Sequence, residues 1–138
     1  MKTSELIGAA LDWAVAKCEG CRVEFNHQYT EETKFDGWWQ LGPNHWQPLN
    51  KYSTDWAQGG PIIEGKEISI SREFASGRIE WAAWTPAPIR DDAEAFGYGP
   101  TPLIAAMRCY VASKLGDDVT LPPELEQSAQ NCLIGGPI

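Results

Sequence analysis

A chain of 138 residues can bury a single hydrophobic core without disulfide or metal staples. Hydrophobic residues make up 43% and charged residues 22%, which excludes a disordered or fibrous chain. The net charge of −8, with no run of Lys or Arg, excludes a surface built to grip nucleic-acid phosphates directly.

Ser4 through Cys18 has the pattern of a helix, with Thr3 or Ser4 as its cap and Gly20 just past its end. Leu6, Ile7, Ala9, Ala10, Leu11, Trp13, Ala14, Val15 and Ala16 leave only a narrow stripe of Glu5, Asp12 and Glu19, expected to face solvent. Cys18 and Cys21 form a C-x-x-C pair, but Cys109 and Cys132 stand alone and neither His27 nor His45 completes a second knuckle, so no zinc is expected. The pair also follows a helix instead of opening one, the wrong end for a low-pKa redox thiol. Arg22–Phe25 alternates as a short strand. From about 26 to 50, prolines, glycines and Trp38, Trp39 and Trp46 break every period, which predicts an aromatic loop or an irregular hairpin.

Tyr52–Glu64 (YSTDWAQGGPIIE) reads as a rigid loop turning at Gly59-Gly60-Pro61, with Ile62-Ile63 starting a strand. Glu67–Phe74 and Arg78–Trp84 alternate around Ala75-Ser76-Gly77 and predict a β-hairpin. Pro86, Pro88 and the acidic Asp91, Asp92 and Glu94 make a connection. Thr101-Pro102 then opens a second helix, with Leu103, Ile104, Met107, Tyr110, Val111 and Leu115 at helical spacing and Gly116 at its end. Beyond about 121 lies a flexible tail with a short helix around Pro123–Cys132. These elements make an α+β domain spanning 1–138, with an antiparallel sheet of three to four strands and two main helices on one face.

No nucleophile–base pair, metal spacing or phosphate loop stands out, so a non-enzymatic binding module is expected, without a cofactor. Its surface would comprise Asp55, Trp56, Gln58, Gly59 and Gly60 together with Thr101 at the second helix. Trp56 either stacks on a planar ligand or plugs the core; Asp55 either caps a turn or holds a hydroxyl; the Gln58 amide can read a polar edge. Arg108, mid-helix among apolar residues, either snorkels to water or meets an anion, and is expected to flank one shallow pocket with Trp56. The partner is then another protein or a small planar, nucleotide-like ligand, with a homodimer left open. A small hydrolase using His27 or His45 with carboxylates is the enzymatic alternative, and a structural subunit of an assembly is the third.

Three blocks, Thr3–Gly20 (TSELIGAALDWAVAKCEG), Tyr52–Glu64, and Gly99–Asp118 (GPTPLIAAMRCYVASKLGDD), resemble the NinX family of lambdoid-type phages and prophages. Tyr29–Trp46 and Arg78–Asp92 depart from that family's pattern. The resemblance implies a small phage accessory protein and transfers no catalytic residue. No apolar stretch reaches the length of a membrane span and no leader-like segment opens the chain, so the host cytoplasm is the expected location.

Overall fold

The computed structural model describes residues 1–25, 38–43, 45–75, 77–86, 95–123 and 125. After a 3-10 turn at Thr3–Glu5 come α1 (Gly8–Cys18), β1 (Val23–Phe25), β2 (Trp38–Leu41), β3 (Trp46–Pro48) and α2 (Trp56–Gly65). The hairpin β4 (Ser69–Ala75) and β5 (Arg78–Trp84) follows, then β6 (Phe96–Gly99) and α3 (Pro102–Leu115). The class is α+β, but the strands form two antiparallel three-stranded sheets, β1-β2-β3 and β4-β5-β6, where one sheet of three to four strands was expected.

Helix α3 organises the core. The Thr101 hydroxyl accepts from the Ile104 N–H at 3.1 Å, Pro102 stands in the first turn, and Gly116 leaves the helix at φ +84°. Its Leu103, Ile104, Met107, Tyr110 and Val111 are all buried, while Leu115 lies at the surface. One side of α3 lies across β4–β6. Gly97 and Gly99 on β6 bring the strand against the helix backbone, with no room for a Cβ at either position. Helix α1 packs on α3 and touches β1, instead of sharing the second sheet's face with α3. The Tyr110 hydroxyl ties the two helices, its single O–H shared between Glu19 Oε2 at 2.8 Å and the Cys18 carbonyl at 3.3 Å. Among the described residues, no helix is long and apolar enough to cross a membrane.

The start of α1 differs from expectation for a local reason. Thr3 is buried, with its N–H donating to the Asp117 carbonyl at 2.8 Å and its hydroxyl to the Gly116 carbonyl at 2.6 Å. The Met1 ammonium and the Val119 N–H close the same antiparallel zipper between the first residues and 116–119. Thr3 is thereby used as a strand-like tether and cannot cap a helix. The chain leaves the 3-10 turn through extended Leu6 and Ile7, and α1 begins at Gly8, whose φ of +60° favours glycine. Glu5 therefore sits off the helix. Asp12, expected on the solvent stripe, is only 6% exposed.

The second correction concerns Tyr52–Glu64. Gly59, Gly60, Pro61, Ile62 and Ile63 lie inside α2, and no turn or strand forms there. Asp55 is the reason: its Oδ1 accepts from the Ala57 N–H at 2.9 Å and caps the helix. A Cβ on Gly59 would stand 2.3 Å from the Tyr52 carbonyl oxygen and 2.7 Å from Leu103 Cδ1, so this glycine is what lets α2 dock on α3. The β4–β5 hairpin is as expected, with Ile70 opposite Ala83 and Phe74 opposite Ile79. β2 and β3 pair antiparallel, with Leu41 opposite Trp46, and β6 was not anticipated. Val119, Leu121 and Leu125 join the core. Tyr29, the acidic Asp91, Asp92 and Glu94, and most of the expected tail helix lie outside the described residues, as do His27 and Cys132.

Candidate functional site

The segment between β3 and α2 is locked by a polar network. Gln40, buried on β2, accepts the Asn50 N–H at 2.8 Å and donates to the Tyr52 hydroxyl at 3.3 Å. Asn50 donates to the same hydroxyl at 3.2 Å, and its Oδ1 accepts from Gln47 at 3.0 Å and Gln58 at 3.3 Å. Gln58 also accepts the Lys51 N–H. From the other side, Asp12 Oδ1 takes the Ser53 N–H at 2.9 Å and the Ser53 hydroxyl at 2.7 Å.

These bonds hold open a cleft of about 420 Å³ between the start of α1 and residues 38–54, a size that suits a small ligand. Gly8, Ala9 and Asp12 of α1 form one wall. Trp38 and Leu49 form the other, with Lys51 and Thr54 at the rim. Phe25 buttresses Trp38, their ring centroids 5.1 Å apart. Both Ser53 bonds fall on Oδ1, and among the described residues no hydrogen bond reaches Oδ2 of this cleft-lining carboxylate. Ile7, at the N-cap of α1, makes no side-chain bond to the helix, so the first-turn amides are not capped.

Burial raises the Asp12 carboxyl above its ordinary value, and the two Ser53 bonds and the Lys51 charge pull it back only in part. A carboxyl whose folded value exceeds its unfolded value of about 3.9 contributes stability below that value and loses it as pH rises through the folded one. The stability of the native protein minus that of Asp12→Asn is therefore expected to fall from about pH 4 toward neutrality in urea titrations. A difference that grows with pH would reverse this assignment.

The residues singled out from sequence do not form one site. Trp56 is 53% exposed at the first position of α2 and is not part of the core. Asp55, Gln58 and Thr101 are occupied as helix cap, network amide and helix cap, respectively. Gly59 is filled by Leu103 and Tyr52, whereas a Cβ on Gly60 would meet only Trp56, at 4.0 Å. Arg108 donates from Nε to the Leu6 carbonyl at 2.9 Å and from Nη1 to the Tyr98 carbonyl at 2.7 Å. It lines a separate cavity of about 190 Å³ that includes Asp117 and Asp118 and excludes Trp56. Leu103, which meets α2, and Arg108 are five positions apart, about 140° around the helix, so the two faces diverge.

Catalytic groups are poorly served. Ser53 is 1% exposed and bonded to Asp12, with no histidine bonded to it among the described residues. His45 is exposed in the β2–β3 turn and makes no ion pair among the described residues. Burial pushes the Cys18 and Cys109 thiols up to about 11, against the lowering effect of Lys114 on Cys18, so both are weak nucleophiles at neutral pH. Among the described residues, no group of three or more potential metal ligands is assembled.

Sequence reasoning missed Asp12, Trp38 and Lys51. The signal for Asp12 was present, because a carboxylate set among Leu11, Trp13, Ala14, Val15 and Ala16 on a helix apolar all round has little chance of reaching water. Trp38 and Lys51 are identified only by the tertiary arrangement. No curated protein matches the chain. The family described as Bacteriophage P22, NinX matches residues 2–114, which include α1, α2, both sheets and all but the last residue of α3, and the chain belongs to that family.

Proposed function

We propose that this phage accessory protein is a non-enzymatic binding module of the host cytoplasm, and that its ligand is a small planar molecule bearing N–H donors, held in the cleft between α1 and residues 38–54. One observation carries this reading: a carboxylate that is 6% exposed, with one oxygen unbonded among the described residues, lines a cleft together with a tryptophan. A largely buried ionised carboxylate needs hydrogen-bond donors, and among the described residues they reach Oδ1 alone. The indole offers a flat partner for a ring. The net charge of −8 disfavours polyanions, including nucleic acid.

The test is calorimetric titration with 2-aminobenzimidazole, a planar amidine-type probe, alongside native mass spectrometry of the purified protein for a retained metabolite. Trp38→Leu is expected to weaken probe binding at least tenfold, as loss of aromatic stacking does, and Trp56→Ala to leave it unchanged. Equal binding by wild type and Trp38→Leu would sink the cleft as the site. The exposure of Trp56 favours a second reading, a host-protein contact anchored on that indole. In that case Trp56→Ala weakens capture of the partner and leaves probe binding intact.

A further inference from the structure

The cleft carries two polar regions of opposite character. At one wall stands Asp12, whose Oδ1 is taken by Ser53 and whose Oδ2 has no bond among the described residues; while ionised it can accept hydrogen bonds but not donate them. Near it, Lys51 contributes an ammonium group that makes no ion pair among the described residues. Gly8 and Ala9 add the uncapped, electropositive start of an eleven-residue helix. Trp38 and Leu49 supply the apolar lining, and the whole space is about 420 Å³.

A ligand that satisfies all of this has a flat ring, an edge of N–H donors and one anionic group. We infer that the cleft takes a purine nucleoside monophosphate of the guanine type, its ring on Trp38, its N–H edge on Asp12 and its phosphate toward Lys51 and the start of α1. This rests on the cleft being the ligand site proposed above. Guanine is favoured over adenine because its Watson–Crick edge presents adjacent N1–H and exocyclic amino donors. Adenine's amino group is flanked by ring nitrogens whose lone pairs face a carboxylate unfavourably. One phosphate is favoured over two or three because the cleft holds a single lysine in a protein of net charge −8.

The experiment titrates ¹⁵N-labelled protein with guanosine 5′-monophosphate, adenosine 5′-monophosphate, guanosine and guanosine triphosphate, reading amide shifts and calorimetry. The guanosine monophosphate is expected to bind at least tenfold more tightly than the adenosine monophosphate, and more tightly than guanosine or the triphosphate. Shifts should centre on Gly8, Ala9, Lys51 and the Trp38 indole. Asp12→Asn should lower affinity at least tenfold, and Lys51→Ala should bring the monophosphate down to the level of guanosine. Should Asp12→Asn fail to fold, Lys51→Ala and Trp38→Leu decide the matter, with circular dichroism as the check on fold. Equal affinity for the two monophosphates, or a Lys51→Ala variant that keeps the phosphate increment, overturns the inference. If no nucleotide binds while 2-aminobenzimidazole still does so through Trp38, the ligand class is wrong and the cleft reading survives. If neither binds, both fall.

Discussion

Gly97→Ala is expected to destabilise the protein by about 3 kcal/mol or more, at the upper end of overpacking penalties. A Cβ at this position would stand 2.3 Å from the Ala105 carbonyl oxygen, 2.4 Å from the Cys109 amide nitrogen and 2.9 Å from its Cα. All three are backbone atoms in the middle of α3, so no rotamer change relieves the clash. Either β6 lifts from the helix or α3 bends. Lifting β6 would also strain the Ala95 carbonyl, which accepts from the Thr85 N–H at 3.1 Å and from the Cys109 thiol at 3.3 Å. Gly65→Ala is the control: nothing lies within 4 Å of its Cβ position, and it closes α2 without a positive φ. That change should be neutral or stabilise by a few tenths of a kcal/mol through helix propensity. Chemical denaturation of the two variants measures both. A loss below about 1 kcal/mol for Gly97→Ala would mean that β6 does not lie directly on α3.

The same contact explains why β6 escaped the sequence reading while α3 did not. Helix α3 carries its own signals in Thr101-Pro102 and Gly116, and its periodicity survives burial. Phe96-Gly97-Tyr98-Gly99 alternates at a period of two, but its inward positions are glycines, so the apolar residues mark the outer face and the core-facing side looks empty. In Tyr52–Glu64, Gly59-Gly60-Pro61 has the local chemistry of a turn. What overrides it is the Asp55 cap and the fit of Gly59 against Leu103, both contacts that local propensity does not contain. The tryptophans were legible as a surplus, not as places. Of the seven, only Trp13 belongs to the buried core, at 9% exposure, and the one that walls the cleft, Trp38, is positioned by its ladder with β1 and by Phe25. The cleft depends on Ser53 holding Asp12 across 41 residues of sequence, and no spacing rule reaches that far.

Arg108→Met is expected to lower stability by about 3 kcal/mol, because it removes charged donors from two carbonyls that have no other side-chain partner among the described residues. The Leu6 carbonyl lies in the extended link between the 3-10 turn and α1, where no helix bond can use it. The Tyr98 carbonyl faces away from β5. Thr85 pairs with the Ala95 carbonyl, so the alternation of an antiparallel ladder turns Phe96 and Tyr98 outward along the open edge of β6. The guanidinium thus closes a sheet edge and fastens the N-terminal link to α3 with one planar group. Burial lowers its pKa, opposed by the Glu80 charge, yet arginine stays protonated at any ordinary pH. Arg108→Lys should recover only part of the loss, since one ammonium lacks the fork geometry that spans both acceptors. Native-state hydrogen exchange provides the finer readout: Arg108→Met should speed exchange in β6 and at the start of α1 more than in β4. If Arg108→Met instead leaves stability unchanged or raises it, the guanidinium is not a structural clamp, and an anion-binding role in the cavity it lines with Lys2 and Thr3 becomes the better account.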